Sequence, residues 1–280
     1  MGVKGETPMN NKREIKLVNK VKRLLKCLGC PRWLHHFGPK TYELYEHLVA
    51  LLIRYYCKLS YRRIKKLLDL LGIICPSKSA LQYATKRFPK WLWDKALEIT
   101  SGDNHYLVAL DGTGLSRTNP SYHYLRRIDG KMPRKHVKLT AAFDTKKKKW
   151  CAAVVRVLPA HDMRDAIALI SRSNPNKIVM DKAGDAEKLH KYCYQNNIEA
   201  HIPLKNYGKK IVHNLWSYRR KAAKHFRKRT YNRRVLVESG FHSIKTKYGV
   251  SVNSKTCKTI RAEVMGRLIC HNLLGIVLET

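Results

Sequence analysis

The order of strand-like and helix-like patterns in the second part of the chain constrains the fold more than any other feature. From His105 onward the apolar residues change from helical spacing to short buried runs, and three such runs come before any helix. A helix, a strand, a second helix and a further strand follow. The predicted strands are His105–Leu110, Val137–Asp144, Trp150–Leu158, Lys177–Met180 and Glu199–Leu204. A run of strands followed by alternating helices and strands is typical of an α/β sheet with helices packed on its faces.

The first 100 residues have helical spacing instead, and we predict a helical domain at 1–100 ahead of a second domain at 101–280. Ser60 and Ser77 are predicted N-caps of the helices Tyr61–Leu71 and Lys78–Phe88. Two capped helices joined by a tight turn are typical of a helix-turn-helix, here over about residues 60–90. The alternative is an ordinary three-helix core with solvated charges. We favour DNA binding, through the side chains on the second helix: Lys78, Gln82, Lys86 and Arg87.

The charge of the chain favours a nucleic-acid partner. Its 280 residues include 57 Lys or Arg and 20 Asp or Glu, which gives a formal net charge of +37. Nucleic acid is the commonest polyanion that such a charge would bind. An anionic membrane surface is the alternative, but the basic residues are spread along the chain and not confined to one amphipathic helix. Because no apolar run is long enough for a membrane span and no signal-peptide pattern begins the chain, we expect a cytoplasmic protein.

The eight cysteines are scattered, mostly in apolar surroundings, which favours reduced thiols. Cys27 and Cys30 have the spacing of metal ligands, and His35 and His36 follow closely. No second pair of this kind occurs, so we favour buried or free thiols and keep a zinc site as the alternative.

Three carboxylates are the candidate catalytic residues. Asp111 and Asp181 each follow a predicted strand, at the end of the sheet where ligand groups collect in α/β proteins. Glu238 is the single carboxylate in the basic stretch from Lys205 to Lys247. Each carboxylate also has a possible structural role. Asp111 could start a turn, Asp181 could lead into a capped helix, and Glu238 could form a surface ion pair with Arg234. Together, their hard oxygen ligands suit two magnesium or manganese ions.

The residues around Glu238 carry a resemblance to a known family. Tyr231, Arg234, Glu238 and Lys245 match the Y-(2)-R-(3)-E-(6)-K signature of bacterial and archaeal insertion-sequence transposases. One helix would place these four residues on a single stripe. The stretches that begin at Asp111 and Asp181 resemble the first and second catalytic Asp motifs of the family. The pair His161 and Asp162 falls where the family commonly has His and Asp.

The resemblance implies a DDE transposase with an RNase H-like core, a mixed five-stranded sheet flanked by helices. Asp111, Asp181 and Glu238 would be the metal-binding triad, while Tyr231, Arg234 and Lys245 are not ligands and would contact DNA phosphates. The implied reaction is cleavage at the ends of the element followed by attack of the freed 3′-hydroxyl on target DNA. The implied partners are double-stranded DNA and a second copy of the chain, in a nucleoid-associated prokaryotic protein.

Other readings stay open. The chain could be an inactive relic that only binds DNA, or an RNase H-like nuclease without strand transfer. A basic RNA-associated protein would leave the three carboxylates unexplained. We predict that Asp162 and Asp185 are helix caps. We also predict that Trp216 and Tyr218 pack in the core, and the alternative is that they stack on a displaced base. Residues 205–230 are predicted to be basic loop and helix.

Overall fold

The computed structural model describes residues 16–35, 40–117, 136–158, 160–161, 163–205 and 217–274. Its first part is helical, as predicted, and the side chains of Ser60 and Ser77 accept the capping hydrogen bonds expected of them. Sequence reasoning missed the fifth helix, which follows Pro89 and buries Leu92, Trp93 and Leu97. The helices are α1 (Leu17–Cys27), α2 (Leu44–Tyr56), α3 (Tyr61–Leu70), α4 (Lys78–Arg87) and α5 (Lys90–Ser101).

The second part contains a mixed sheet, which confirms the predicted α/β class. Its strands are β1 (His105–Arg117), β2 (His136–Asp144), β3 (Lys149–Arg156), β4 (Pro175–Val179), β5 (Glu199–His201) and β6 (Ser251–Val252). The order is β3-β2-β1-β4-β5, and β6 pairs with the far end of β1. The first three strands are antiparallel, whereas β4, β5 and β6 are attached by parallel pairing. The two-residue β6 was not predicted because it is too short to show any periodicity.

Helices cover both faces of the sheet. They are α6 (Met163–Ser173), α7 (Glu187–Gln195), α8 (Tyr218–Lys224), α9 (Lys228–Tyr231), α10 (Val235–Tyr248) and α11 (Cys257–Leu274). One face, with Val108 and Leu110, packs against α6 and α7. The other face, with Leu107 and Ala109, belongs to a larger core that includes α5, α10 and α11. No helix in the part of the chain that the structure describes is long and apolar enough to cross a bilayer.

Two predicted helix caps have different outcomes. Asp162 lies outside the described residues. Asp185 is not the cap of α7, because that helix follows Ala186 and has no side-chain capping bond. The Asp185 carboxylate is instead buried and bonded to groups from other segments, as described below.

The larger core is continuous from α1 through the helical part to the sheet. Two of its helices come close together at Gly266 of α11, where a Cβ atom would lie 2.4 Å from Cδ2 of the buried Tyr55 ring on α2. Only a residue without a side chain allows the two helices to come this close. The division into domains at residue 100 stays a prediction.

We expect Gly266→Ala to lower the free energy of unfolding by about 1–3 kcal/mol, the usual cost of overpacking a core. The added methyl group would force the Tyr55 ring or the helix to move, and the better helix propensity of Ala offsets only part of this cost. Urea denaturation measures the change. Gly114→Ala is the control, because its Cβ atom would meet open space. Equal stability of Gly266→Ala and wild type would show that α2 and α11 can separate without cost.

Candidate active site

Asp111 and Asp181 lie side by side on neighbouring parallel strands. Ala109 of β1 pairs with Val179 of β4, and each aspartate is two residues further along its own chain. Asp181 follows the end of β4, as predicted. Asp111 does not end its strand, which corrects the prediction: β1 continues to Arg117 because its later residues keep pairing with β2. Asp111 therefore lies level with the end of β4. On the β4 side, no described strand lies beside its carboxylate.

Glu238 is brought to the two aspartates by the first turn of α10. Arg234 connects the carboxylates, since its Nη1 atom lies 3.3 Å from Oδ2 of Asp111 and its Nη2 atom 2.5 Å from Oε1 of Glu238. The other Asp111 oxygen, Oδ1, accepts a hydrogen bond of 2.8 Å from the backbone N–H of Gly112. These contacts join a strand and a helix that are 123 positions apart in the chain.

The packing of α10 explains why Glu238 is at the edge of the sheet. Phe241 is buried, and its ring lies 4.8 Å from the ring of Trp150 on β3. Gly240 permits this approach, because a Cβ atom there would lie 3.0 Å from the Trp150 ring and 3.2 Å from Phe143. With this side of the helix held against the sheet, the Glu238 side chain stays 49% exposed at the surface.

The electrostatics of the site fit a role in holding cations. Burial raises the pKa of Asp111, and the negative charges of Asp181 and Glu238 raise it further. The hydrogen bond from the Gly112 N–H and the charge of Arg234 lower this pKa but do not outweigh these effects. Burial would lower the pKa of Arg234, but the hydrogen bond and charge of Glu238 outweigh it, and Asp111 adds to them, so that this pKa is raised. Asp111 is therefore repelled by the two other carboxylates, and it shares the positive charge of Arg234 with Glu238.

The donor set fits divalent metal ions, which the fold family implies. In the described ranges, Asp111, Asp181 and Glu238 do not form a compact group whose ligand atoms all lie within 4.8 Å of one another. Their carboxylate oxygens are the hard ligands that magnesium and manganese prefer. Arg234 lies between two of the carboxylates, which shows that a positive group is accommodated there.

A second cluster, His105, Asp144 and Cys151, is the only compact three-ligand group in the described ranges. The His105 Nδ1 atom lies 2.8 Å from Oδ2 of Asp144 and 3.5 Å from the Cys151 sulfur. Burial alone would raise the pKa of Asp144, but the hydrogen bonds from His105 and from two backbone N–H groups outweigh it and lower the pKa. Burial raises the pKa of the Cys151 thiol, which makes it a poor metal ligand. We interpret the cluster as a hydrogen-bonded core network.

The signature residues do not lie on one uninterrupted α-helix. A 3-10 turn, Asn232–Arg234, separates α9 from α10. Residues three positions apart eclipse in such a turn, so the turn does not displace Tyr231 from the line through Arg234 and Glu238. The Tyr231 ring packs 5.7 Å from the Phe226 ring, and Lys245 is half-buried nearly two turns beyond Glu238. The single stripe stays a prediction.

The predicted DNA-contacting residues of α4 are all exposed: Lys78, Gln82, Lys86 and Arg87. Leu81 and Ala84 on the opposite side of the helix are buried. The Arg87 guanidinium bonds the hydroxyl of Tyr83 and lies 5.1 Å from the centre of its ring. The turn before α4 exposes apolar side chains that sequence reasoning did not single out: Leu70, Leu71, Ile73 and Ile74.

Asp185 forms a buried ion cluster beside the candidate site. Its Oδ1 atom accepts a 2.8 Å bond from Nε of Arg219 and lies 3.1 Å from the His190 ring, while Oδ2 accepts a 2.8 Å bond from the Lys205 backbone. Glu187 accepts bonds from the first backbone N–H groups of α8. The two carboxylates attach α8 next to the residues that follow β4. Sequence reasoning missed this role because Arg219 is 34 positions away.

The remaining predicted residues are less central. Trp216 and His36 lie outside the described residues. Tyr218 is half-buried at the surface, with its ring 5.2 Å from that of the exposed Tyr194, so core packing was the wrong prediction for it. In the described ranges, neither Cys27 nor Cys30 belongs to a group of three metal-ligand atoms.

Comparison with known families agrees with this geometry. A family model described as a transposase DDE domain matches residues 102–273, well over half of the chain. The matched range contains Asp111, Asp181 and Glu238 and extends from the end of α5 to the last turn of α11. The match and the mixed sheet confirm the predicted RNase H-like fold. No curated protein matches the chain.

Proposed function

Because the chain belongs to the transposase DDE domain family, we propose that it is an insertion-sequence transposase of prokaryotic origin. It cleaves phosphodiester bonds at the ends of the element and joins the 3′-hydroxyl ends to target DNA. The family binds DNA and uses divalent metal ions. The observation that carries the proposal is the proximity of three carboxylates: Arg234 pairs with Asp111 and Glu238, and the charges of Asp181 and Glu238 act on Asp111.

The chemistry is divided between the carboxylates and the cations next to them. Asp111, Asp181 and Glu238 would hold two magnesium or manganese ions, whose chemistry when bound would be activation of a water and stabilisation of the leaving oxygen. Arg234 touches two of these carboxylates, so its positive charge lies beside the position of the reacting phosphate. Tyr231 and Lys245, before and after Glu238 in the chain, contact the backbone of the DNA on either side.

The helical part recognises the ends of the element. Lys78, Gln82 and Lys86 are spaced at i, i+4 and i+8, so they lie on one exposed side of α4. Arg87 extends the same surface. A helix that follows a turn and presents cations to solvent is suited to the major groove. We further propose that two copies of the chain act together, because two ends must be joined to one target.

Replacing Lys86 and Arg87 together by Ala is expected to weaken binding to the element's ends and to reduce the slope of log K against log salt by up to about 2. For each cation that is removed, one fewer counterion is released from the DNA on binding. Fluorescence anisotropy over a salt series measures both effects. The control replaces Lys188 and Lys191, which are exposed on α7, by Ala and removes the same charge. An identical loss in both double variants would count against recognition by α4.

The test of the function is product analysis with a labelled duplex that carries the element's own ends, a target plasmid, and magnesium or manganese. Joined products with the labelled 3′ end covalently attached to target DNA are expected. Metal-dependent nicks without joined products would favour the nuclease that lacks strand transfer. Tight binding without nicks in either metal would favour the DNA-binding relic.

A further inference from the structure

A groove lined by cations opens on the same face of the sheet as the candidate catalytic aspartates. It has a volume of about 460 Å³ and is lined by Tyr106, Leu107, Thr145, Lys146, Lys177, Arg229, Thr230 and Arg233. We call it the basic groove. Lys177 and Asp181 are separated by an even number of positions along β4 and its continuation, so they point to the same face. Four residues of extended chain span about 13 Å, which is about four nucleotide steps of a duplex strand and fewer steps of an extended, unpaired strand.

The charges of the basic groove are suited to a polyanion. No Asp or Glu belongs to its lining. Lys177 has a partner, since its Nζ atom lies 2.7 Å from Glu199. Lys146, Arg229 and Arg233 are exposed and form no ion pair with any other residue that the structure describes. These three cations are therefore available to phosphates.

An aromatic ring, that of Tyr106, also lines the basic groove. Tyr106 is 56% exposed, an unusual position for the second residue of a central strand. The Lys177 ammonium is 5.4 Å from the centre of the Tyr106 ring, so a positive charge lies next to the ring in the groove. Aromatic rings beside cations bind single-stranded nucleic acid, because a base that is not paired can stack while the backbone contacts the charges.

We propose that the basic groove binds an unpaired DNA strand next to the phosphodiester bond that is cleaved. Lys146, Arg229 and Arg233 contact its phosphates, and a base stacks on Tyr106. This inference rests on the proposed function for the position of the cleaved bond. It adds a binding site for single-stranded DNA that is separate from the carboxylates and from α4. Because Arg229 and Arg233 are on the segment that leads into α10, the strand in the groove is continuous with the side of the site that carries Glu238.

The test measures binding of a fluorescent oligo(dT) and of a fully paired duplex of equal length. Replacing Arg229 and Arg233 together by Ala is expected to weaken oligo(dT) binding about tenfold or more and to lower the salt slope by about 1.4, since each single-strand contact contributes about 0.7. Tyr106→Ala is expected to weaken it about fivefold or more, and Tyr106→Phe much less, because the ring is retained. The variant in which Lys188 and Lys191 are replaced by Ala is the matched control for charge.

The outcomes separate the groove from the proposed function. Oligo(dT) binding by the arginine variant equal to that of the charge control would overturn the inference, as would the same proportional loss on the duplex. A folded state is checked by the thermal melt of each variant, and the arginine variant with its charge control decides the test if Tyr106→Ala is unfolded. Groove-dependent binding by a protein that does not cleave DNA with either metal would support the groove and contradict the transposase proposal.

Discussion

Replacing Glu238 by Gln is expected to lower metal-dependent DNA cleavage by a factor of about 10³ or more. Removing a metal ligand costs several kcal/mol of transition-state stabilisation, and each 1.36 kcal/mol is a factor of ten in rate. Asp111→Asn and Asp181→Asn are expected to have effects of similar size, because the three carboxylates act as one unit. Affinity for duplex DNA should be unchanged or slightly higher in all three, since each change removes negative charge beside the DNA.

A matched control for these variants is Asp103→Asn, which neutralises an exposed carboxylate in the turn before β1. Single-turnover cleavage of a labelled duplex in magnesium and in manganese gives the rates, and a gel-shift titration gives the affinity. Cleavage by Glu238→Gln at the rate of the control would remove Glu238 from the site. A loss of DNA binding that parallels the loss of cleavage would show that the carboxylate has a structural role.

Replacing Asp185 by Ala is expected to lower the free energy of unfolding by about 3–5 kcal/mol, as when one member of a buried ion pair is removed. The Asp185 side chain is fully buried, and the Arg219 guanidinium that it binds is only 18% exposed. The variant removes the Asp185 acceptor from this guanidinium and from the Lys205 backbone N–H. We expect α8 to detach from the sheet before the rest of the protein unfolds, with faster hydrogen exchange over residues 217–224.

The pH dependence gives an independent readout of the same carboxylate. Burial would raise the pKa of Asp185, but the hydrogen bond from Arg219, followed by the Lys205 N–H, outweighs it and lowers the pKa. A lowered folded-state pKa contributes stability above the ordinary pKa of an aspartate, and this contribution is lost as the pH falls through the folded-state value. Wild type should therefore lose stability below about pH 4 more steeply than Asp185→Asn.

The control for Asp185 is Glu187→Ala, two positions later and exposed. Its contacts to the first N–H groups of α8 are of the capping kind, so the expected loss is about 1 kcal/mol. Chemical denaturation measures both variants. Equal losses in the two variants would mean that burial of the Asp185 cluster contributes nothing beyond ordinary capping.

Much of this architecture could be predicted because it depends on local patterns. The strand order from His105, and the caps Ser60 and Ser77, follow from spacing and from residue type at one position. The far half of β1 could not be predicted in this way. Except for Leu115, its residues after Leu110 are polar or glycine, and they are extended because β2 pairs with six of them, from Asp111 to Ser116.

The candidate site was predicted as a set of residues but not as a geometry. The spacing around Glu238 suggested its contact with Arg234, because four positions make one helical turn. Nothing local could indicate that the same guanidinium also reaches Asp111, 123 positions earlier. The network of His105 and Asp144 is a similar case, since its members are 39 positions apart and meet only through the register of the sheet.

The continuous core has a consequence for how the protein would choose a bond to cut. Leu81 of α4 and Phe241 of α10 belong to the same packed interior, which leaves no tether between the proposed DNA-reading helix and the helix of Glu238. In a transposase of the proposed kind, this core would fix the distance between the helix that reads the DNA and the residues that cut it. The cleaved bond would be selected by its distance along the double helix from the bound sequence, and an added base pair between them would have to be accommodated by bending or twisting of the DNA.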